Sequence, residues 1–392
     1  MKRVVYLTDQ PFDERNFERF GIQSWVDRQW QVEVWDLTPW AHPRVWQDLN
    51  ARGHSPKPFA GYVPIASRGA LEGKLRNAAT IRYFVDLTGE GFHSVRAKSA
   101  LKRAGAGRIV CAVGTIPVPD RDAMLIPRLV KALSMGPGAA WKWLNAAFFA
   151  RVVAPRIGTD WAVVSGTESM TLARSSLGVI KAHNFDYDIY LKLMRSGPVG
   201  AGDYAVFIDQ DCCFHLEYLY MRTPAVATAE RYFPVICDAL EAISAALGLE
   251  IRIAAHPRAS YLQRKESFFR KFPVERGKTA ELIKGCRAVV CHDSTAIQYA
   301  VLFGKPAIFV TTDELSKAYE GRSIEKAAAE LGKKPINLDR VDPRAVDWRD
   351  ELRIDSDKYA SYRNKYVKTE GSPELPVWSI VIDQVEQTKE PV

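Results

Sequence analysis

The stretch VVCHDSTAIQYAVLFGKPAIFV, Val289 to Val310, decides the fold. It opens inside an apolar run of strand length, Ala288 to Cys291, as expected of a strand covered on both faces. His-Asp-Ser-Thr follows, and Asp293 or Ser294 has the side chain of an N-cap. Ala296, Ile297, Ala300 and Val301 then recur at helical spacing. Gly304 stops the helix, Lys305-Pro306 forbids its continuation, and Ala307 to Val310 is the next strand. This is one β-α-β unit of a parallel sheet. Its helix start combines two hydroxyls, uncommitted N–H groups and the positive end of a dipole. That set suits an anion such as phosphate as well as it suits an ordinary cap.

The same grammar repeats outward. Val4 to Leu7, Val32 to Leu37, Ile81 to Leu87, Arg108 to Val113 and Trp161 to Ser165 read as strands. Helices are predicted over Asn16 to Gln29 and Val95 to Ala104. RSGPVGAGD, Arg195 to Asp203, interrupts the pattern with Gly and Pro and marks a boundary. Beyond it Tyr204 to Ile208 and Glu250 to Ala255 are strands, Ala229 to Leu247 a long helix and Thr279 to Lys284 a short one. The reading is α/β: a Rossmann-like domain over 1–195, a second over 203–337, and a tail over 338–392 that crosses back to the first. Two such domains face each other across a cleft, where ligands of open α/β sheets bind.

At 392 residues the chain exceeds one comfortable core. No apolar segment reaches membrane-spanning length, and the apolar run after Met-Lys-Arg is too short for a signal peptide, so a cytoplasmic location is expected. The six cysteines lack metal or redox spacing, and neither a metal nor a cofactor is expected. A net charge of +8 favours an anionic partner. Without a zinc finger, an RNA-recognition signature or a long basic run, nucleic acid is the weakest choice.

A second site lies in IRIAAHPRAS, Ile251 to Ser260. The residue before a proline is pushed to an extended conformation, which holds His256 at the carboxyl edge of the sheet with Arg258 close behind. In GKTAELIKGC, Lys278 and Thr279 open a helix on that same edge. A histidine, a lysine and a hydroxyl-rich helix start together suit a nucleotide phosphate.

A strand ending in His-Pro, then K-T-x-x-L-I, then an acidic-Ser-Thr helix start before G-K-P-A-I-F resembles bacterial surface-polysaccharide glycosyltransferases of the GT-B fold. The pattern is similar to capsule Kdo transferases, sialyl- and polysialyltransferases, and CDP-glycerol glycerophosphotransferases. It covers Ala254 to Thr312. The resemblance implies donor-binding roles for His256, Pro257, Ser294 and Thr295, beside which Arg258, Lys278, Thr279 and Asp293 complete the set. It also implies a metal-independent, inverting transfer from a nucleotide sugar, such as a CMP-sugar, to a glycan or lipid-linked acceptor of capsule or lipopolysaccharide synthesis. Asp-Ser-Thr stands where a Ser-Ser pair is common. A CDP-glycerol-type phosphotransferase, a sugar-nucleotide epimerase and a non-catalytic binding subunit share the architecture and are the alternatives.

An inverting transferase needs a base within reach of its nucleophile. FIDQDCC offers Asp209 and Asp211, which also mimic the D-x-D metal site of another transferase fold; KAHNFDYDIYL offers His183, Asp186 and Asp188. Asp9, in the first strand-helix turn, is a weaker candidate. Met124 to Ile157 mixes Trp141, Trp143, Phe148 and Phe149 with Arg128, Lys131, Lys142, Arg151 and Arg156, and contains no acidic residue. That composition fits an anionic membrane surface, and a peripheral place on the inner membrane, as well as it fits a core helix pair.

Overall fold

Two parallel sheets carry the chain in a computed structural model that describes residues 2–10, 12–51, 56–117, 141, 144–145, 148–197, 200, 202–215, 217–221, 223–259, 261 and 267–388. These residues group into two compact units. One lies within Met1–Val113, Arg121–Phe185 and Thr369–Val392, the other within Gly114–Asp120 and Asp186–Lys368.

The first unit holds β1 (Arg3–Thr8), β2 (Gln31–Asp36), β3 (Tyr62–Pro64), β4 (Ile81–Leu87), β5 (Gly107–Ala112), β6 (Thr159–Val164) and β7 (Ser176–Lys181). Their order is β3-β2-β1-β4-β5-β6-β7, and the pairs are parallel. Alternate residues of β1 enter opposite layers, as the two-residue strand period requires. Val4 and Tyr6 pack with Trp25, Trp378 and Val381, whereas Val5 and Leu7 pack with Leu71, Ala97 and Leu101.

The helix predicted over Asn16 to Gln29 is two helices, Glu14–Arg19 and Ile22–Asp27. They part at Gly21, whose φ is 56°. A Cβ there would lie 2.3 Å from the Trp378 ring. The Trp378 indole N–H donates to the Arg19 carbonyl at 2.7 Å, so the break is where the helix Val377–Gln387 docks. Glycine is required twice over, for its left-handed backbone and for the space.

The second unit holds β8 (Tyr204–Ile208), β9 (Glu250–Ala255), β10 (Val274–Arg276), β11 (Ala288–Cys291), β12 (Ala307–Thr311) and β13 (Ile336–Asn337), ordered β10-β9-β8-β11-β12-β13. The helix Ala229–Leu247 connects β8 to β9 and buries Tyr232, Phe233, Ile236, Leu240 and Ile243, an i, i+3/i+4 stripe set against the sheet.

Each sheet is laid in the same way. Successive strands run outward from β1 or β8, then the chain crosses to that strand's other side. The strand order therefore reverses between β1 and β4 and again between β8 and β11. These are the switch points where open α/β sheets bind ligands. Two Rossmann-like units is the architecture the sequence predicts.

Candidate functional site

At the second switch point, four neighbouring strands deliver the predicted residues to one carboxyl edge. β8 ends in Asp209-Gln210-Asp211, β9 in His256-Pro257-Arg258, β10 leads to Lys278-Thr279, and β11 ends in His292-Asp293-Ser294-Thr295.

His292, the first polar residue after β11, is internal. It is 1% exposed, its Nδ1 lies 2.6 Å from the Val310 carbonyl and its Nε2 2.8 Å from the Tyr232 hydroxyl. A carbonyl only accepts, so Nδ1–H donates to it and Nε2 accepts from the tyrosine. Burial pulls the imidazole down to about 4, against the weaker opposing pull of the Val310 bond. His292 therefore ties β11 to β12 from inside, and the candidate residues begin with Asp293.

Asp209 is sealed as well. Its Oδ2 accepts from the Tyr261 hydroxyl at 2.7 Å and the His256 N–H at 3.3 Å, while Oδ1 accepts from the Asp211 N–H at 3.0 Å. Burial raises its carboxyl above the usual range, opposed by those donors. The arrangement makes Asp209 a post that fixes the backbone under His256. Asp211 is 1% exposed and has φ 54°. A left-handed backbone is uncommon for a residue with a side chain, and such strain concentrates at functional sites. Among the described residues, no three His, Cys, Asp or Glu side chains gather as a metal would need.

Gln210, between them, bridges to the β11 turn. Its Nε2 donates to Asp293 Oδ1 at 2.8 Å, and its Oε1 accepts the Asp293 N–H at 3.0 Å. Neither Asp293 nor Ser294 caps the next helix. The helix is Ile297–Leu302, and its capping position is Ala296. The Ser294 hydroxyl accepts from the Ala296 N–H at 3.2 Å and its carbonyl from the Ile297 N–H at 3.1 Å, so a tight turn fills the space predicted as the first helical turn. A six-residue helix carries a weak field, and an anion here would depend on the turn's own donors.

His256 is half-buried. Its Nδ1 accepts from the Arg258 N–H at 3.3 Å, and its ring meets His215 edge-on, with centroids 4.7 Å apart. Burial, joined by Arg258, holds His215 below its ordinary value, against the pull of Glu217. Sequence reasoning missed His215, which follows no strand and carries no local motif; the pairing forms between loops far apart in the chain. Pro257 and Lys278 are exposed, Lys278 pairing with Glu275 at 3.5 Å, and Thr279 begins the helix Thr279–Gly285.

The second group of candidates lies elsewhere. His183 is fully buried in the first unit, with Nδ1 3.0 Å from the Asn184 carbonyl and Nε2 2.8 Å from the Leu375 carbonyl. That position fastens the C-terminal segment to the end of β7 and leaves the ring no face toward a substrate. Asp186 and Asp188 occupy the first turn of the helix Phe185–Arg195, both half-buried, and Asp186 accepts from the Tyr299 hydroxyl at 3.3 Å. Asp9 lies at the first unit's switch point, its Oδ2 accepting from the Gly89 N–H at 2.9 Å and the Ser94 hydroxyl at 3.0 Å.

Most of the basic-aromatic stretch, including Arg128, Lys131, Lys142 and Trp143, lies outside the described residues. Within it Trp141 is 70% exposed, while Phe149 packs edge-on to Phe92 at 5.6 Å. No described helix is long and apolar enough to cross a membrane.

No protein-family model matches the sequence, and no curated protein matches it. Solved structures match in fold. Two variants of the wall teichoic acid polymerase TagF align over 99% of this chain and 90% of theirs, at 12% identity and TM-scores of 0.58 and 0.56. The glycotransferase of kitacinnamycin aligns over 98% of each chain at 13% identity and TM-score 0.51. Together with the paired parallel sheets, these likenesses give the chain the GT-B fold. At such identities they reach no further than the fold.

Proposed function

We propose that this protein is a glycosyltransferase that moves a sugar from a nucleotide-activated donor to a glycan or lipid-linked acceptor in bacterial surface polysaccharide synthesis, without a metal and with inversion. The observation that carries this reading is the convergence of His256, Arg258 and the Asp293–Thr295 turn on the carboxyl edge where strand order reverses between β8 and β11. An imidazole, a guanidinium and a turn rich in hydroxyl and N–H donors are the groups that hold a nucleotide phosphate and stabilise it as it leaves. Of the carboxylates considered as base, Asp209 and Asp211 are sealed, whereas Asp186 and Asp188 are both half-buried in the first turn of one helix, and we assign acceptor deprotonation to this pair.

Thermal shifts with CMP-, CDP-, UDP- and GDP-linked ligands test the donor site. Stabilisation by CMP-sugars alone supports a Kdo- or sialic-acid-type transfer. Stabilisation by CDP-glycerol transfers the reading to a phosphotransferase, and no shift with any of them overturns it. His256→Ala and Ser294→Ala should each weaken nucleotide binding by roughly 1.5–3 kcal/mol, the worth of one charge-assisted hydrogen bond. The fold should survive both.

A further inference from the structure

We infer that Gln210 is a positioning residue of the donor site, acting through Asp293 to fix the turn that carries Ser294 and Thr295. The inference rests on the donor-site reading above. Backbone pairing between β8 and β11 runs from Ala205↔Ala288 through Phe207↔Val290 and stops there. Gln210 and Asp293 each stand three residues beyond that last pair, in the same register. Past the end of the ladder, the Gln210 side chain does what a peptide group does within it. It accepts the Asp293 N–H at 3.0 Å and donates to Asp293 Oδ1 at 2.8 Å.

An amide side chain offers a donor and an acceptor side by side at any pH, which an ionised carboxylate or an ammonium does not. A glutamate here would set two carboxylates against each other, and a lysine would leave the Asp293 N–H unmet. The clasp also commits the Asp293 carboxylate to an amide, which settles an acidic residue beside a turn expected to receive phosphate. Because the Ser294 hydroxyl and carbonyl take the Ala296 and Ile297 N–H groups, the turn is continuous from Asp293 to the helix Ile297–Leu302. Holding Asp293 therefore holds Ser294.

The experiment turns on a pair of carboxylates, which share a proton when forced together. Gln210→Glu remakes the clasp when one proton is shared and breaks it when both groups ionise. Asp293→Asn added to it reverses the polarity: the new amide donates to the new carboxylate, which still accepts the backbone N–H of its partner. Dissociation constants of CMP, CDP, UDP and GDP are measured by calorimetry from about pH 5.5 to about pH 8.5 for the wild type and both variants. Asp209 and Asp211 on the same loop, His256 and Arg258 after β9, and His215 titrate or carry charge in all three proteins. The ratio of variant to wild type removes their contribution, and that of the phosphate.

The expected result is Gln210→Glu binding within about 3-fold of the wild type at the acid end and at least about 10-fold weaker at the alkaline end. The double variant should return to within about 3-fold throughout. A role in stability alone moves the melting temperature but not this pH-dependent ratio. A flat ratio, or a double variant that folds and fails to recover, overturns the clasp. If Gln210→Glu does not fold, Gln210→Ala should bind about 10-fold more weakly at every pH, and wild-type affinity in that variant overturns the inference. A wild type that binds none of the four nucleotides removes the donor-site reading, and the clasp's role with it.

Discussion

Acid should unfasten the second unit through His292. The ordinary histidine value is near 6.5, and burial holds the folded one at about 4. The depressed value means the fold prefers the neutral ring, so its stability is fully present above pH 6.5. As pH falls from 6.5 to about 4, the unfolded chain takes up a proton that the folded chain refuses, and stability drops by about 1.4 kcal/mol per unit. Between about pH 7.5 and about pH 5 the loss attributable to this one ring is about 2 kcal/mol, reaching about 3 kcal/mol near pH 4. Below that it levels off. His292→Gln isolates the effect, because glutamine offers an N–H for the Val310 carbonyl and an oxygen for the Tyr232 hydroxyl but gains no proton. Urea unfolding followed by circular dichroism at both pH values gives a double difference in which the carboxylates common to both proteins cancel. The variant should lose about 2 kcal/mol less than the wild type on acidification. Equal losses, to within about 0.5 kcal/mol, would refute the argument that the ring is held neutral between β11 and β12.

Three further outcomes are expected. Tyr261→Phe takes a 2.7 Å donor from the buried Asp209 carboxylate and should destabilise the second unit by roughly 1.5–3 kcal/mol in thermal unfolding; an unchanged melting temperature contradicts the role of Asp209 as a post. Sugar transfer should continue in EDTA, and its loss with recovery in manganese would hand Asp209 and Asp211 to a metal and unseat the proposed mechanism. Wild-type protein should sediment with phosphatidylglycerol vesicles at low salt and release at high salt, each basic residue near the headgroups contributing about 1 kcal/mol. Trp141→Ser, at a side chain 70% exposed, should weaken that binding with little change in melting temperature, whereas a large loss of stability with intact vesicle binding would assign the segment to the core.

The strands that sequence reasoning found are those in which buried, apolar residues make up most of the run. β4, β8, β9 and β11 match to the residue, as does the helix Ala229–Leu247. β3 and β10 escaped because each has three residues and none is fully buried. β7 escaped because it is an edge strand whose Leu177 and Val179 face outward, so its pattern matches no template. The division of the first predicted helix at Gly21 was illegible for another reason. The side chain that enforces it, Trp378, comes from the far end of the chain. At the site, His256 and Ser294 were legible because strand ends and a following proline fix them locally. The partners His215, Gln210 and Tyr261 were not, since each acquires its role by contact with a different strand end.

The helix Val377–Gln387 has a consequence for synthesis. Trp378, Val381 and Val385 lie in the same layer as Val4, Tyr6, Tyr83 and Trp161. β1 through β7 are all translated once Lys181 is added, yet the layer over one face of their sheet is completed by Val377–Gln387, which is synthesised long afterwards. While the ribosome adds the intervening stretch, the first unit waits with an apolar face uncovered, as a client for a chaperone and a hazard on crowded polysomes. Cutting the gene short just before this helix would thus harm the half of the protein encoded first.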